Sequence, residues 1–113
     1  MTKCRIKLLP EAEMFVESLP QKVGDKIFYN ILRISQGDMS STLFKKLVGT
    51  EIWELRTLYS KMSYRLFAFW DTKNEALIIA THGIIKKTQE TPKKEIAKAE
   101  KIRIQYFKAK DNE

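Results

Sequence analysis

Residues 51–88 of this chain, EIWELRTLYSKMSYRLFAFWDTKNEALIIATHGIIKKT, carry the pattern that decides the fold. Three segments within this stretch are rich in aromatic and β-branched residues and are separated by short polar breaks, which is typical of β-strands joined by tight turns. We predict strands over residues 51–59, 62–71 and 75–85, followed by a basic loop. Strands that succeed one another so closely form an antiparallel meander.

A two-residue turn between the first two of these strands would fix how they pair. If residues 60–61 form the turn, Tyr59 lies opposite Met62, and the same register brings Arg56 opposite Arg65. Like charges directly across a strand pair destabilise it, by roughly 0.2–1 kcal/mol. The arginine pair therefore requires an anion or a carboxylate between the two guanidinium groups. This requirement is the first indication of a phosphate site.

The residues before the meander predict one further strand and a helical hairpin that packs against the sheet. Residues 4–9 alternate loosely and form the strand, which Pro10 ends. Pro10 also begins a first helix, and a second helix runs from Pro20 to about residue 35, with Gly37 as its C-terminal cap. The predicted inner stripe of the first helix is Met14, Phe15, Ser18 and Leu19. The corresponding stripe of the second helix is Val23, Ile27, Ile31 and Ile34.

The remaining segments lead into the meander and out of it. Residues 37–42, GDMSST, have the composition of a loop, and residues 43–49 form either a short strand or the lip of a loop. Past the third strand, Thr91 as N-cap and Pro92 at the first helical position begin a last helix that runs to about residue 109. We expect the tail beyond it to fray. The apolar stripe of this helix is Ile96, Ala99, Ile102 and Tyr106.

The composition predicts one domain spanning residues 1–113. At 113 residues, with 43% hydrophobic and 11% aromatic residues, the chain is long enough to bury a core of sheet and helices. Cys4 is the only cysteine and cannot form an internal disulfide, and the first ten residues lack the apolar segment of a secretory signal. We therefore expect a cytoplasmic protein. The most apolar window, residues 76–85, is too short to span a membrane.

The net charge of +7 is concentrated towards the C-terminus. Residues 86–113 hold nine Lys or Arg against five Asp or Glu. Such a basic segment is the usual footprint of a polyanionic partner, either nucleic acid or an acidic protein segment. A solvated basic helix has the same composition, so charge alone does not separate these interpretations.

Three motifs, taken together, resemble the RelE/HigB superfamily of toxins, especially its phage-derived branch. They are WELR at 53–56, YRLFAF at 64–69 and THGIIKKTQETPKKEIAKAE at 81–100, and the order of elements matches over about residues 3–108. The resemblance implies an α+β fold in which an N-terminal helical hairpin packs on a small, mainly antiparallel sheet and a C-terminal helix follows. It also implies a type II toxin that cuts messenger RNA on the ribosome, with a helix-turn-helix antitoxin as its partner.

On this resemblance, Arg56, Arg65 and Lys87 match the basic side chains that catalyse cleavage. RNA is cut without a metal when its own 2′-hydroxyl attacks the adjacent phosphate, which requires a base, an acid and cations that stabilise the developing charge. Arginine suits the last role because its guanidinium fork matches two phosphate oxygens. The candidate RNA-binding residues are Lys45, Lys46, Lys86, Lys93 and Lys94, with surface solvation as the alternative for the first two.

The sequence does not assign the general acid and base. Some RelE-like toxins carry a catalytic tyrosine early in the last helix, where this chain has two lysines at residues 93–94. A lysine serves this role only if neighbouring cations lower its pKa towards neutrality. His82, the only histidine, has a suitable intrinsic pKa, although we favour a structural hydrogen-bonding role for it. One histidine and one cysteine do not make a zinc site, so we expect neither metal nor cofactor.

Two other functions remain open on the sequence. A ParE-like relative of the same fold would act on DNA gyrase and would need no nuclease residues. A non-catalytic nucleic-acid- or protein-binding module would use the arginines only to hold a partner's carboxylates. One scaffold can host all three functions, and the sequence leaves both codon preference and oligomeric state open.

Overall fold

The computed structural model of the protein describes residues 3–87 and 90–112. Within these residues, one strand and two helices precede four strands and a last helix. In chain order the elements are β1 (Arg5–Leu8), α1 (Pro10–Glu17), α2 (Gln21–Ser35), β2 (Phe44–Lys46), β3 (Trp53–Tyr59), β4 (Met62–Trp70), β5 (Leu77–Lys86) and α3 (Lys93–Asp111). One five-stranded sheet combined with three helices confirms the predicted α+β class.

The strands form one sheet in the order β1-β5-β4-β3-β2. All neighbouring pairs are antiparallel except β1 and β5, so the sheet is mainly antiparallel, as predicted. The turn between β3 and β4 consists of Ser60 and Lys61, both with positive φ (49° and 67°), as two-residue hairpin turns of type I′ require. This turn sets the predicted register, and Arg56 lies opposite Arg65.

A β-bulge interrupts the pairing of β4 with β5. Phe67 pairs with His82, whereas the next residue of β4, Ala68, pairs with Ala80, so Thr81 is an extra residue on β5. Strict alternation along β5 would place His82 on one face together with both Ala80 and Ile84. The extra residue instead turns Ala80 to the opposite face of the sheet.

The helical hairpin and α3 cover opposite faces of this sheet. The core under α1 and α2 contains Val16, Ile27, Leu55, Leu66 and Ile78. The core under α3, which contacts β4 and β5, contains Phe67, Phe69, Ile79 and Ala99. Among residues 3–87 and 90–112, none of the helices combines the length and the hydrophobicity of a membrane-spanning segment.

The inner face of α1 differs from the prediction. Residues of α1 and its C-terminal end that are buried or half-buried are Ala12, Phe15, Val16 and Leu19. Met14 instead exposes 67% of its surface, and Ser18 is exposed too. Met14 is two residues from both Ala12 and Val16, which places it on the other side of the helix. Phe15 packs so tightly on Gly83 of β5 that a Cβ atom there would lie 2.3 Å from the ring.

The predicted stripe of α2 is confirmed, since Val23, Ile27 and Ile34 are buried and Ile31 is half-buried. Gly37 follows the helix with a φ of 104°. Its amide donates to the carbonyl of Ile34 at 2.9 Å, and the next amide, of Asp38, donates to Arg33 at 3.0 Å. These two bonds form a Schellman motif, which confirms the glycine as the helix stop.

The two ends of α3 also differ from the prediction. The helix begins at Lys93 with Pro92 as its N-cap residue, so Thr91 is not the cap. The Thr91 hydroxyl donates instead to Glu54 of β3 at 2.7 Å. At the other end the helix continues to Asp111, and the Lys110 ammonium donates to Asp71 at 2.7 Å. The prediction of a frayed tail is therefore wrong as far as residue 111.

Asp71, just after β4, anchors the C-terminal half of α3. Its buried carboxylate accepts hydrogen bonds from Tyr106 (2.6 Å), Lys110 (2.7 Å) and the amide of Lys73 (2.9 Å). Burial alone would raise the pKa of Asp71, but these donors outweigh it and lower the pKa to about 2. The carboxylate is thus charged in the folded protein at neutral pH, and it holds the helix to the end of the sheet.

Candidate functional site

Basic side chains from three adjacent strands meet on the sheet face that also carries α3. Arg56 of β3 lies opposite Arg65 of β4, and Lys86 near the end of β5 lies opposite Ser63. Glu54 shares this face, since it is two residues from Arg56 along the same strand. The meander thus brings together residues that are up to 32 positions apart in the chain. We call Arg56, Arg65, Lys86 and Glu54 the cationic cluster.

The carboxylate of Glu54 lies at the centre of the cationic cluster. Its side chain has no exposed surface, and its Oε1 atom lies 3.4 Å from Nε of Arg56 and 3.5 Å from Nε of Arg65. The Oε2 atom lies 3.9 Å from Nζ of Lys86 and accepts a hydrogen bond from Thr91. Lys86 in turn donates to the same Thr91 hydroxyl at 3.1 Å. One negative charge therefore faces three positive charges.

Burial and, to a smaller extent, the excess positive charge affect the titration of the cluster. Burial lowers the pKa of Arg65, Glu54 opposes this shift, and the neighbouring Arg56 adds to it. Burial likewise lowers the pKa of Lys86, again opposed by Glu54 and enhanced by the surrounding arginines and Lys45. A lowered pKa means that the charged form is disfavoured. A further anion at this place would relieve that penalty, which is the property of a phosphate-binding site.

Access to solvent differs among the cations. The side chain of Arg56 is 24% exposed, that of Arg65 14% and that of Lys86 only 4%. The Nε atoms of both arginines and Oε1 of Glu54 are buried and have no hydrogen-bond partner within residues 3–87 and 90–112. Arg56 also donates through Nη1 to the carbonyl of Ser41 at 3.2 Å. Because their side chains are more exposed than that of Lys86, the two arginines are the cations of the cluster that a ligand reaches from solvent.

The other predicted site residues are distributed unevenly around the cluster. Lys45 lies opposite Glu54 and so shares its face, whereas Lys46 lies opposite Trp53 and belongs to the other face. Lys87 is exposed immediately after β5. Lys93 and Lys94 are exposed in the first turn of α3. The structure therefore brings Arg56, Arg65, Lys86 and Lys45 to one face and excludes Lys46 from it.

His82 has the structural environment that we favoured. It is buried and stacks on Phe67 with ring centroids 4.9 Å apart. Its Nδ1 atom lies 2.8 Å from the Thr81 hydroxyl, and its Nε2 atom lies 3.2 Å from the Glu95 carboxylate in the first turn of α3. Burial lowers the pKa of His82, nearby Lys98 lowers it further, and Glu95 opposes both. The imidazole thereby joins β5 to the beginning of α3.

Two residues of the site were not among the predicted site residues. Glu54 entered the sequence interpretation only as part of the WELR motif at 53–56, and Thr91 only as a helix cap. The signal for Glu54 was its spacing of two from Arg56, which puts both on one face of a strand. Nothing local signalled Thr91, because its partner lies 37 residues away. Among the described residues, no group of three or more His, Cys, Asp or Glu is arranged to hold a metal ion.

Comparison with known proteins gives one family and one fold. The family model described as "Phage derived protein Gp49-like (DUF891)" matches residues 14–103. The fold is similar to that of a chain in the crystal structure of the toxin-antitoxin complex RelBE2 from Mycobacterium tuberculosis, with 14% identity and a TM-score of 0.52. The match covers 75% of this chain and 100% of that chain. No curated protein matches the sequence at a significant level.

Proposed function

The chain belongs to the Gp49-like family of phage-derived proteins, and from its fold and its cationic cluster we propose that it is the toxin of a type II toxin–antitoxin pair. We place it in the HigB-like branch of the RelE/HigB superfamily and propose that it cuts messenger RNA on the ribosome. The observation that carries the proposal is the cationic cluster, in which three cations surround a single buried carboxylate. A phosphodiester in an RNA backbone supplies the negative charge that the cluster lacks.

The proposed reaction is attack of the 2′-oxygen on the adjacent phosphorus, with cleavage of the bond from phosphorus to the 5′-oxygen. The 2′-hydroxyl loses its proton, the 5′-oxygen gains one, and the products are a 2′,3′-cyclic phosphate and a 5′-hydroxyl end. Arg56 and Arg65 stabilise the charge on the phosphate oxygens as it develops. Lys87 is the third catalytic cation, while the exposed Lys45, Lys93 and Lys94 hold the RNA backbone. The predicted RNA-binding residue Lys86 is buried, so it adds its charge to the cluster without touching the RNA.

The proposed partners follow from the same charge. The ribosome would present the message in a near-attack geometry and so supply part of the rate. A helix-turn-helix antitoxin would neutralise the toxin in the cytoplasm by offering carboxylates to the cluster, since these compete with phosphate for the same donors. Lys46 has no part in this proposal because it lies on the other sheet face.

The test is cleavage of a defined message on purified ribosomes, with the cut positions mapped and the new ends identified chemically. We expect cuts only when ribosomes are present, cyclic phosphate ends, and no effect of EDTA. Expression of the chain in cells should stop translation before any DNA damage response appears. DNA damage with intact message would instead assign the protein to gyrase-inhibiting toxins.

A further inference from the structure

Glu54 is a buried acid inside a cluster whose proposed task is to bind an anion, and this placement needs an explanation. Removing a carboxylate from water costs several kcal/mol unless cations and hydrogen bonds compensate for it. The side chain of Glu54 has no exposed surface, and all its described partners belong to the site or to its border: Arg56, Arg65, Lys86 and Thr91. Its negative charge also opposes the binding of any anion nearby.

We propose that Glu54 is a positioning residue that holds the guanidinium groups of Arg56 and Arg65 in the arrangement that receives the scissile phosphate. This inference rests on the proposed nuclease function. The geometry supports it because Oε1 lies almost equally far from both Nε atoms, at 3.4 and 3.5 Å. Without the carboxylate, two opposed arginines would repel each other across the strand pair.

The second carboxylate oxygen extends the same role to Lys86 at the end of β5 and to Thr91 shortly before α3. Oε2 accepts a hydrogen bond from the Thr91 hydroxyl at 2.7 Å. The oxygen of that hydroxyl accepts a hydrogen bond from the Lys86 ammonium at 3.1 Å. Glu54 therefore connects β3 to Thr91, two residues before α3, and to the last residue of β5. Lys87 follows directly on Lys86, so one of these contacts lies next to the third proposed catalytic cation.

The variant Glu54→Gln separates positioning from simple electrostatics. Glutamine retains the shape and an oxygen that accepts from Thr91, but it removes the charge that attracts the three cations. Coulomb's law alone predicts tighter RNA binding and unimpaired cleavage, because the cluster becomes more positive. Positioning predicts that kcat falls by roughly ten- to a hundredfold while KM stays equal or decreases, since misplaced catalytic groups cost rate even when binding is retained.

The arginine Nε–H resonances in NMR spectra give a readout that does not depend on nuclease activity. We expect two separate, slowly exchanging signals for Arg56 and Arg65 in the wild-type chain, and their collapse to the position of exposed arginines in Glu54→Gln. The matched control is Glu75→Gln, which removes the same charge from an exposed residue between β4 and β5. It should leave both the signals and kcat unchanged.

Thr91→Val is the second test variant, and it can be measured even if Glu54→Gln does not fold. It removes the hydroxyl at the border of the sheet and should lower kcat less than Glu54→Gln, by about two- to tenfold, with a partial loss of the two NMR signals. Unchanged arginine signals and unchanged kcat in both variants would overturn the positioning role. If the wild-type chain itself cuts no message, the nuclease proposal fails, and the NMR comparison still decides whether Glu54 orders the arginines.

Discussion

Replacing Arg65 by alanine separates a catalytic role of the cationic cluster from a structural one. The substitution leaves Glu54 with two cations, Arg56 and Lys86, so no buried charge loses all of its partners. Burial already lowers the pKa of Arg65, which means that the folded protein disfavours its charge. Removing that charge should therefore cost little stability, and we expect the melting temperature to change by only a few degrees, equivalent to about 1 kcal/mol or less for a domain of this size.

The effect on cleavage should be much larger. Loss of one donor that stabilises transition-state charge typically lowers kcat by about a hundredfold or more, or roughly 2.7 kcal/mol in activation free energy. Arg65→Lys should restore only part of the rate, because a single ammonium does not reproduce the two-pronged contact. Both variants should be measured for melting temperature and for cleavage of ribosome-bound message, beside wild type.

The matched control is Arg5→Ala, which removes an arginine from an exposed position on β1, two strands away from Arg65. It changes the net charge equally and should leave the cleavage rate within about twofold of wild type. An Arg65→Ala protein that loses many degrees of melting temperature while its folded fraction cuts at the wild-type rate would show that the arginine is structural. A wild-type rate in both Arg65→Ala and Arg56→Ala would rule out the phosphate clamp.

Three further outcomes are expected. The folded pKa of Asp71 is about 2, below its ordinary value of 3.8, so its contribution to stability is complete above pH 4 and is lost as the pH falls towards 2. When the urea midpoint of unfolding is plotted against pH, Asp71→Asn should remove the decrease between pH 4 and pH 2. An unchanged profile would refute the anchoring role of Asp71. Gly83→Ala should destabilise the fold by roughly 1–3 kcal/mol, because the new Cβ atom collides with the ring of Phe15. Adding Phe15→Leu to this variant should restore part of the lost melting temperature. Lys45→Ala should weaken RNA binding and reduce its dependence on salt, whereas Lys46→Ala should do neither, since the two lysines lie on opposite faces of the sheet. Equal losses of RNA affinity for the two variants in a binding titration would contradict this assignment.

The parts of the fold that the sequence predicted correctly are those fixed by local interactions. The Ser60–Lys61 turn has only two residues, so it sets the register of β3 and β4 and with it the opposition of Arg56 and Arg65. The end of α2 at Gly37 is equally local, because one residue with positive φ satisfies the last carbonyls of the helix. In both places the residues that determine the geometry lie within about four positions of the residues that it places.

Two of the errors arise where a distant partner outweighs a local preference, and another arises from a strand irregularity. Thr91 before Pro92 has the composition of a helix cap, but its hydroxyl donates to the buried carboxylate of Glu54. A buried carboxylate oxygen without a donor costs more than an uncapped helix. The extra residue Thr81 turns Ala80 away from the face of His82, and strand alternation contains no sign of such a bulge. Lys110 stays helical because Asp71 binds it.

The candidate site combines both kinds of determinant, which explains why its arginines were predictable and its centre was not. The arginines followed from one turn and from alternation, and their mutual repulsion required some anion between them. Alternation places Glu54 on the same face as the arginines but does not determine the orientation of its side chain. The sequence alone therefore could not decide whether the anion between the arginines is a substrate phosphate or the carboxylate of Glu54. The structure contains the carboxylate, and yet three cations surround it. The carboxylate of Glu54 neutralises one of the three positive charges, so two positive charges remain without a counter-ion. The repulsion from which the sequence predicted an anionic ligand therefore persists in the presence of Glu54.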